Sequence, residues 1–352
     1  MEPIVYTVAE DGDTVLVLEN ANRDIGPRGD DPLWENALPD VLVEEPQLDE
    51  FKVRARVSED ANSQREIWML LSSKKLAIAS PICRQMEPNN QPEIRPFKFT
   101  YKYLFIARHW GEKALEMVMN IIHGKIATIP EKINLERLAD ISVIVDHFQC
   151  HQTVKPFVDK WIARLKEPYP TCYGRNLVLR LYISWVFLDS FDFAAFTKIV
   201  LRESRGPMHT LGLPIPKSII TGIDEARQGR IDKLFYDLYG LKKKLSEESR
   251  ICSSIYPSHT TVGCATILPD ALVEGMRDVG LTSPPQRPFN GYSIVALEKA
   301  LRGFQQPGLA TLMWSCELHG SKIFLPAEVC AVLSKQQFEN IEGLEVYKFH
   351  RY

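Results

Sequence analysis

The hydrophobic period of this chain changes once, near Glu112, and that change limits the fold more than any single motif does. Before it, apolar residues alternate with polar ones or come in short runs, the signature of strands. TVLVLEN (14–20) reads as a strand, FKVRARV (51–57) as a half-exposed strand with alternating basic residues, and EIWMLL (66–71) as a third; FKFTYKYLFI (97–106) adds another. After Glu112 the spacing is helical: Leu115, Val118 and Ile122 form one stripe, Leu138, Ile141, Val145 and Phe148 a second, and Phe157, Trp161 and Leu165 a third. The expectation is an α+β fold, a small mixed sheet flanked by helices, over residues 1–166.

Between the third strand and that change lies SSKKLAIASPICRQM (72–86), a short amphipathic helix, a Ser80-Pro81 break and a second helical start. Proline disfavours helical geometry in the residue before it, so the break is local chemistry. Leu76, Ile78 and Ala79 are expected to face inward.

KEPYP (166–170) marks a boundary, and a mostly α-helical extension is expected over 167–248. There NLVLRLYISWVFL and FDFAAFTKIVL read as two buried helices, and a long helix runs from about Asp224 to Glu248. Ile231, Leu234, Leu238, Leu241 and Leu245 keep a 3-4-3-4 spacing for too short a run to make an autonomous coiled coil. Residues 249–352 read as a small helical region built from TILPDALVEGMRDVGL, IVALEKALRGF and PAEVCAVLSKQQFENI.

A second peculiarity is the stretch 30–50, an acidic loop insertion within about 21–50. It carries Asp30, Asp31, Glu35, Asp40, Glu44, Glu45, Asp49 and Glu50, three prolines, and no Lys or Arg. Such composition reads first as a solvated insertion and second as a docking segment for a basic partner.

Composition narrows the function classes. At 352 residues and 45% hydrophobic content the chain can build substantial cores, and a net charge of −3 offers no broad cationic surface for nucleic acid. No apolar run approaches the roughly 18 residues of a membrane span, and the acidic start MEPIVYTVAEDGD lacks the features of a signal peptide. Neither nucleic acid nor membrane is expected as a partner, and the cytoplasm, the nucleus or both as the location. The seven cysteines, with no N-x-S/T sequon, read as reduced thiols.

Phosphate-cradling glycine loops and the G-x-S-x-G elbow are absent, which lowers the enzyme reading. His147, Cys150 and His151 in HFQCH have zinc-compatible side chains but no evident fourth ligand. The metal candidates are Cys252, Cys264, Cys316 and His319; only the Cys316/His319 pair has ligand spacing, so they amount to half a motif for a structural zinc. A zinc-dependent or thiol enzyme on those four residues is the rival reading. Cys83 paired with a distant His lacks any local nucleophile signature, and His123, at the end of a helix, is expected to bind the last carbonyls.

Taken in order, DTVLVLEN, FKVRARV, LLSSKKLAIASPICRQM, ALEMVMNIIHGKIATIP and INLERLADISVIVDHFQCHQTVKPFVDKWIARL resemble the BTB/POZ domain, most closely its large fungal branch, over about residues 12–166. In that resemblance Asp13 to Leu16 begins the first core strand, Lys75 to Arg84 forms the two-helix hairpin, and PIVYTVAE is an N-terminal strand of the kind that members exchange on forming a homodimer. The resemblance implies a non-enzymatic interaction adaptor or scaffold without cofactors, binding itself or a partner near residues 72–86 and 134–165. The surface residues carried over are Asp13, Lys75, Leu76, Ile82, Arg84, Met86, Phe148, Phe157 and Trp161. The partner it implies is a cullin, which makes such a protein a substrate adaptor of a ubiquitin ligase; self-association as a transcriptional or chromatin-linked scaffold is the alternative. This sequence departs from the family's pattern in its long acidic insertion and in the segment SEDANSQREIWMLL before the hairpin, and no zinc-finger array or kelch repeats accompany it.

Overall fold

The computed structural model describes residues 3–21, 66–86, 101–255, 264–278, 281, 285–303 and 325–349. FKVRARV and the acidic run lie outside the described residues.

The fold is α+β. Strands β1 (Ile4–Thr7), β2 (Thr14–Glu19), β3 (Ile67–Leu71) and β4 (Tyr103–Arg108) form one sheet in the order β1-β3-β2-β4. β2 and β3 are antiparallel, with Leu16 opposite Met69, while β1 runs parallel to β3 and β4 parallel to β2. Thus PIVYTVAE supplies a strand that pairs within its own chain. The two central strands are buried on both sides, and their period of two divides one sequence between two cores. Leu16, Leu18, Ile67, Met69 and Leu71 enter the main core; Val15, Val17, Trp68 and Leu70 turn to the other face with Tyr101.

Two short helices follow β3, α1 (Ser73–Ala79) and α2 (Pro81–Arg84). Ser80 between them is extended, its hydroxyl accepts the Cys83 N–H, and Pro81 opens α2 where a missing N–H costs nothing. After β4 come α3 (Glu112–Ile122), α4 (Leu135–Phe148) and α5 (His151–Ile162). Asn134 caps α4 through the Arg137 N–H, and Gln149, in the left-handed region at φ 51°, turns the chain into α5. All four residues of the stripe Leu138, Ile141, Val145 and Phe148 are buried.

The extension opens with α6 (Arg175–Val186) and α7 (Ser190–Glu203). The long helix α8 (Lys217–Ile255) spans 39 residues and exceeds its expected length at both ends. Its spaced apolar residues from Ile231 to Leu245 are buried, and α9 (Cys264–Asp278) and α11 (Leu325–Gln336) pack on it, while α10 (Ile294–Arg302) sits on α7. α4 packs directly on α6, so the apolar core continues without a gap from the sheet into the extension. The chain closes on α7: Thr197 Oγ1 accepts the Leu344 N–H at 2.8 Å, and Gly343 lies so close that a Cβ there would overlap the Ala194 carbonyl. Among the described residues no helix is long and apolar enough to cross a membrane.

Candidate interaction surface

The α1–α2 hairpin is pinned to the rest of the molecule at both ends by polar side chains. At its start, Asp13 accepts two hydrogen bonds from Ser73, from the N–H and from the hydroxyl, each at 2.8 Å. Burial works against the Asp13 carboxylate, but these bonds and Lys102 at 3.6 Å outweigh it and hold Asp13 below the ordinary carboxylate value. One residue earlier, the Ser72 N–H donates to His123 Nε2 at 2.9 Å, and His123 Nδ1 lies 2.7 Å from the Met119 carbonyl. A ring that accepts at Nε2 and donates at Nδ1 is neutral. Burial pushes the His123 pKa down and favours that form. His123 therefore binds a carbonyl at the end of α3, as its position suggested, and also holds the hairpin. Lys75 Nζ donates to the His123 carbonyl at 3.1 Å and closes the same joint.

At the far end the Ser80 hydroxyl, fully buried, donates to the Phe148 carbonyl at 2.5 Å while accepting from Cys83. One side chain thus caps α2 and ties it to the end of α4. Leu76, only 2% exposed, fills the space between the two joints.

The residues expected on the surface divide accordingly. Lys75, Ile82 and Arg84 are exposed, Met86 and Phe157 half-buried. Leu76, Phe148 and Trp161 are not surface residues: each is about 2% exposed, and Trp161 spends its indole N–H on the Pro130 carbonyl at 2.9 Å. They belong to the support because a large apolar side chain on the packed face of a short helix has nowhere else to go. Asp13 caps α1 and is committed there. Ile78, expected inside, is 79% exposed. A seven-residue helix cannot bury Leu76 and a residue two positions on, which lies about 200° away around the axis. Ile78, Ile82, Lys74, Lys75 and Arg84 therefore make up an apolar and basic outer face, and no Asp or Glu occurs between Ser72 and Met86. Sequence reasoning missed Lys74 and Ile78, although the position of Ile78 relative to Leu76 was a readable signal.

Other concavities lie elsewhere among the described residues. A cleft of about 450 Å³ between α3 and the segment leading to α4 is lined by Lys113, Glu116, Met117, Asn120, Ile133 and Arg137 among others. A groove of about 820 Å³ runs along α8 and α11, where Phe235, Tyr236, Tyr239 and Val332 lie among charges of both signs.

The HFQCH residues do not converge. The His147 ring packs on Trp110 with centroids 4.9 Å apart, His151 faces Phe187 at 6.2 Å, and Cys150 is buried with its thiol pushed up to about 12 by desolvation. Burial also raises the Cys83 thiol, which leaves it an unactivated nucleophile. Among the described residues no group of metal-ligating side chains assembles. Cys316 and His319 lie outside the described residues, as do the side chains of Cys252 and Cys264, so the zinc expectation falls outside them too. No family model, no curated protein and no solved structure matches this chain.

Proposed function

We propose that this protein is a non-enzymatic interaction adaptor or scaffold whose N-terminal half is a BTB/POZ-like module. The observation that carries the reading is the hairpin itself, held by Asp13 and His123 at one end and Ser80 at the other, with Ile78 and Ile82 turned outward between cations. Exposed isoleucines on a rigid support have no role in the chain's own core, and preorganisation lowers the entropy lost when a partner binds. The order of the described strands, the hairpin and the helices up to Ile162 supports this reading, with FKVRARV outside the described residues. The specific form of the proposal is a cullin-bound substrate adaptor of a ubiquitin ligase, with the helices after Pro170 lengthening the contact.

Affinity purification of the tagged full-length protein from its own cells, beside Ile78→Asp and Ile82→Asp variants, tests it. Point variants are the right comparison because removing residues 1–166 would strip the face of α6 that packs on α4. A cullin recovered with the wild type and lost with the variants supports the adaptor form. Other proteins lost in the same way leave a scaffold without the ligase role, and an unchanged set of partners rejects the hairpin as the interaction surface.

A further inference from the structure

The outer face of the hairpin has a charge pattern that selects among occupants. Ile78 and Ile82 form its apolar centre, 79% and 36% exposed. Lys74 stands one helical turn before Ile78 on α1, Arg84 lies just beyond Ile82, and Lys75 is exposed beside them. At the base of the face, exposed Lys125 and Ile126 (59% exposed) repeat the combination, and both Lys75 and Lys125 act on the His123 ring that joins them. Among the described residues, the acids that bear on this joint include Asp13, already engaged by Ser73 and Lys102, and Asp11, which also bears on His123; Glu87, next after Met86, lies outside the described residues. No acid interrupts the hairpin.

We infer that this face docks an acidic amphipathic helix of a partner protein and is not where two copies of this chain meet. The inference rests on the interaction-module reading and narrows it to one occupant. In a two-fold interface the same patch lies on both sides, so Lys74, Lys75 and Arg84 of one copy would face the same set of cations on the other, and like charges brought together across an interface disfavour it. A helix with apolar residues at i and i+4 and Asp or Glu on either side fits instead. Its apolar stripe covers Ile78 and Ile82, and its flanking carboxylates face the exposed cations Lys74, Lys75 and Arg84. Because the hairpin is held at both ends, the loss of backbone entropy on binding falls on the partner. The cations are exposed, so their contribution weakens as salt screens them.

The experiment is selection of short peptides from a displayed proteome library on the immobilised full-length protein, with selected peptides then titrated against wild type, Lys74→Glu and Ile78→Asp. Both side chains point to solvent, so both variants keep the fold, which the melting transition checks. The expected result is enrichment of acidic peptides with apolar residues at i and i+4. Their affinity should fall at least about tenfold in each variant and should fall with added salt. Three results overturn the inference. Peptides without acidic character that still require Ile78 would remove the acidic partner and leave the interaction-module reading standing. Peptides indifferent to both variants, or no enrichment at all, would remove the face as a docking site. A dimer in sedimentation equilibrium that dissociates on Ile78→Asp would give the face to a second copy of the chain.

Discussion

The hairpin and the loop before α10 solve the same problem in opposite ways. Each is a short irregular piece of chain held to the main body by polar side chains bonded to backbone. The hairpin is held by neutral or surface-connected groups: Ser80 on the Phe148 carbonyl, His123 on the Ser72 N–H, Asp13 on Ser73. Residues 288–292 are held by Arg227, whose side chain is completely buried. Its Nε and Nη2 bond Asp224 at 2.9 and 2.7 Å, Nη1 reaches the Phe289 and Tyr292 carbonyls at 3.0 Å, and Nη2 reaches Pro288 at 2.8 Å. All five N–H groups of the guanidinium are used. A buried cation so arranged locks a loop in place but has no face left for anything else. The hairpin's joints lie at its two ends and leave one side of it exposed.

That contrast can be broken from its strongest point downward. Arg227→Leu should cost most, about 3–5 kcal/mol, because it leaves Asp224 and three carbonyls without their donor inside the protein; urea denaturation measures it, and a loss under about 1 kcal/mol would show that the clamp is dispensable. Leu76→Asp should cost several kcal/mol by order of magnitude, since a carboxylate would be buried without a partner. Retention of the wild-type melting transition would contradict its burial. Ser80→Ala should cost about 1–3 kcal/mol, as it removes a cap and leaves the Phe148 carbonyl unpaired. If the same loss appeared in a background where α2 is deleted, the staple would not be the cause.

Acid should loosen the hairpin joint before any other part of it. His123 is held below its ordinary pKa of 6.5, so the unfolded chain takes up the proton first. The stability tied to neutral His123 is fully present above pH 6.5 and is lost as pH falls through the lowered value. Asp13, held below 3.8, contributes in the same direction but in a separate and more acidic window. A urea midpoint followed against pH should fall below 6.5 in the wild type and fall less in His123→Gln; parallel curves would assign the drop to other groups. The smallest effect on stability should come from Ile78→Asp, within about 0.5 kcal/mol, because that side chain already faces solvent. A large loss would place Ile78 back in the core.

How far each of these regions was legible depends on the range of the forces involved. The central strands, the Ser80-Pro81 break and the buried stripe of α4 follow from neighbours a few positions apart, and there local periodicity suffices, whereas the Asn134 cap was not read from the sequence. Cys83 and Cys150 were similarly readable as unactivated thiols, since burial alone settles their state. Trp161 and Phe148 were misplaced on a surface because a resemblance marks which helices matter without marking which side of each is covered.

By itself, then, the sequence determined the strand–hairpin–helix order of the described elements and the α+β class, both consequences of side-chain period and backbone preference. The tertiary structure alone decided that Ile78 faces out and Leu76 in, that His123 joins α3 to the hairpin 51 residues earlier, and that Arg227 binds carbonyls more than 60 residues away. Those outcomes depend on which distant backbone groups come within hydrogen-bond distance once the core closes. No local pattern encodes them, because a donor's partner is set by packing and not by its neighbours in the chain.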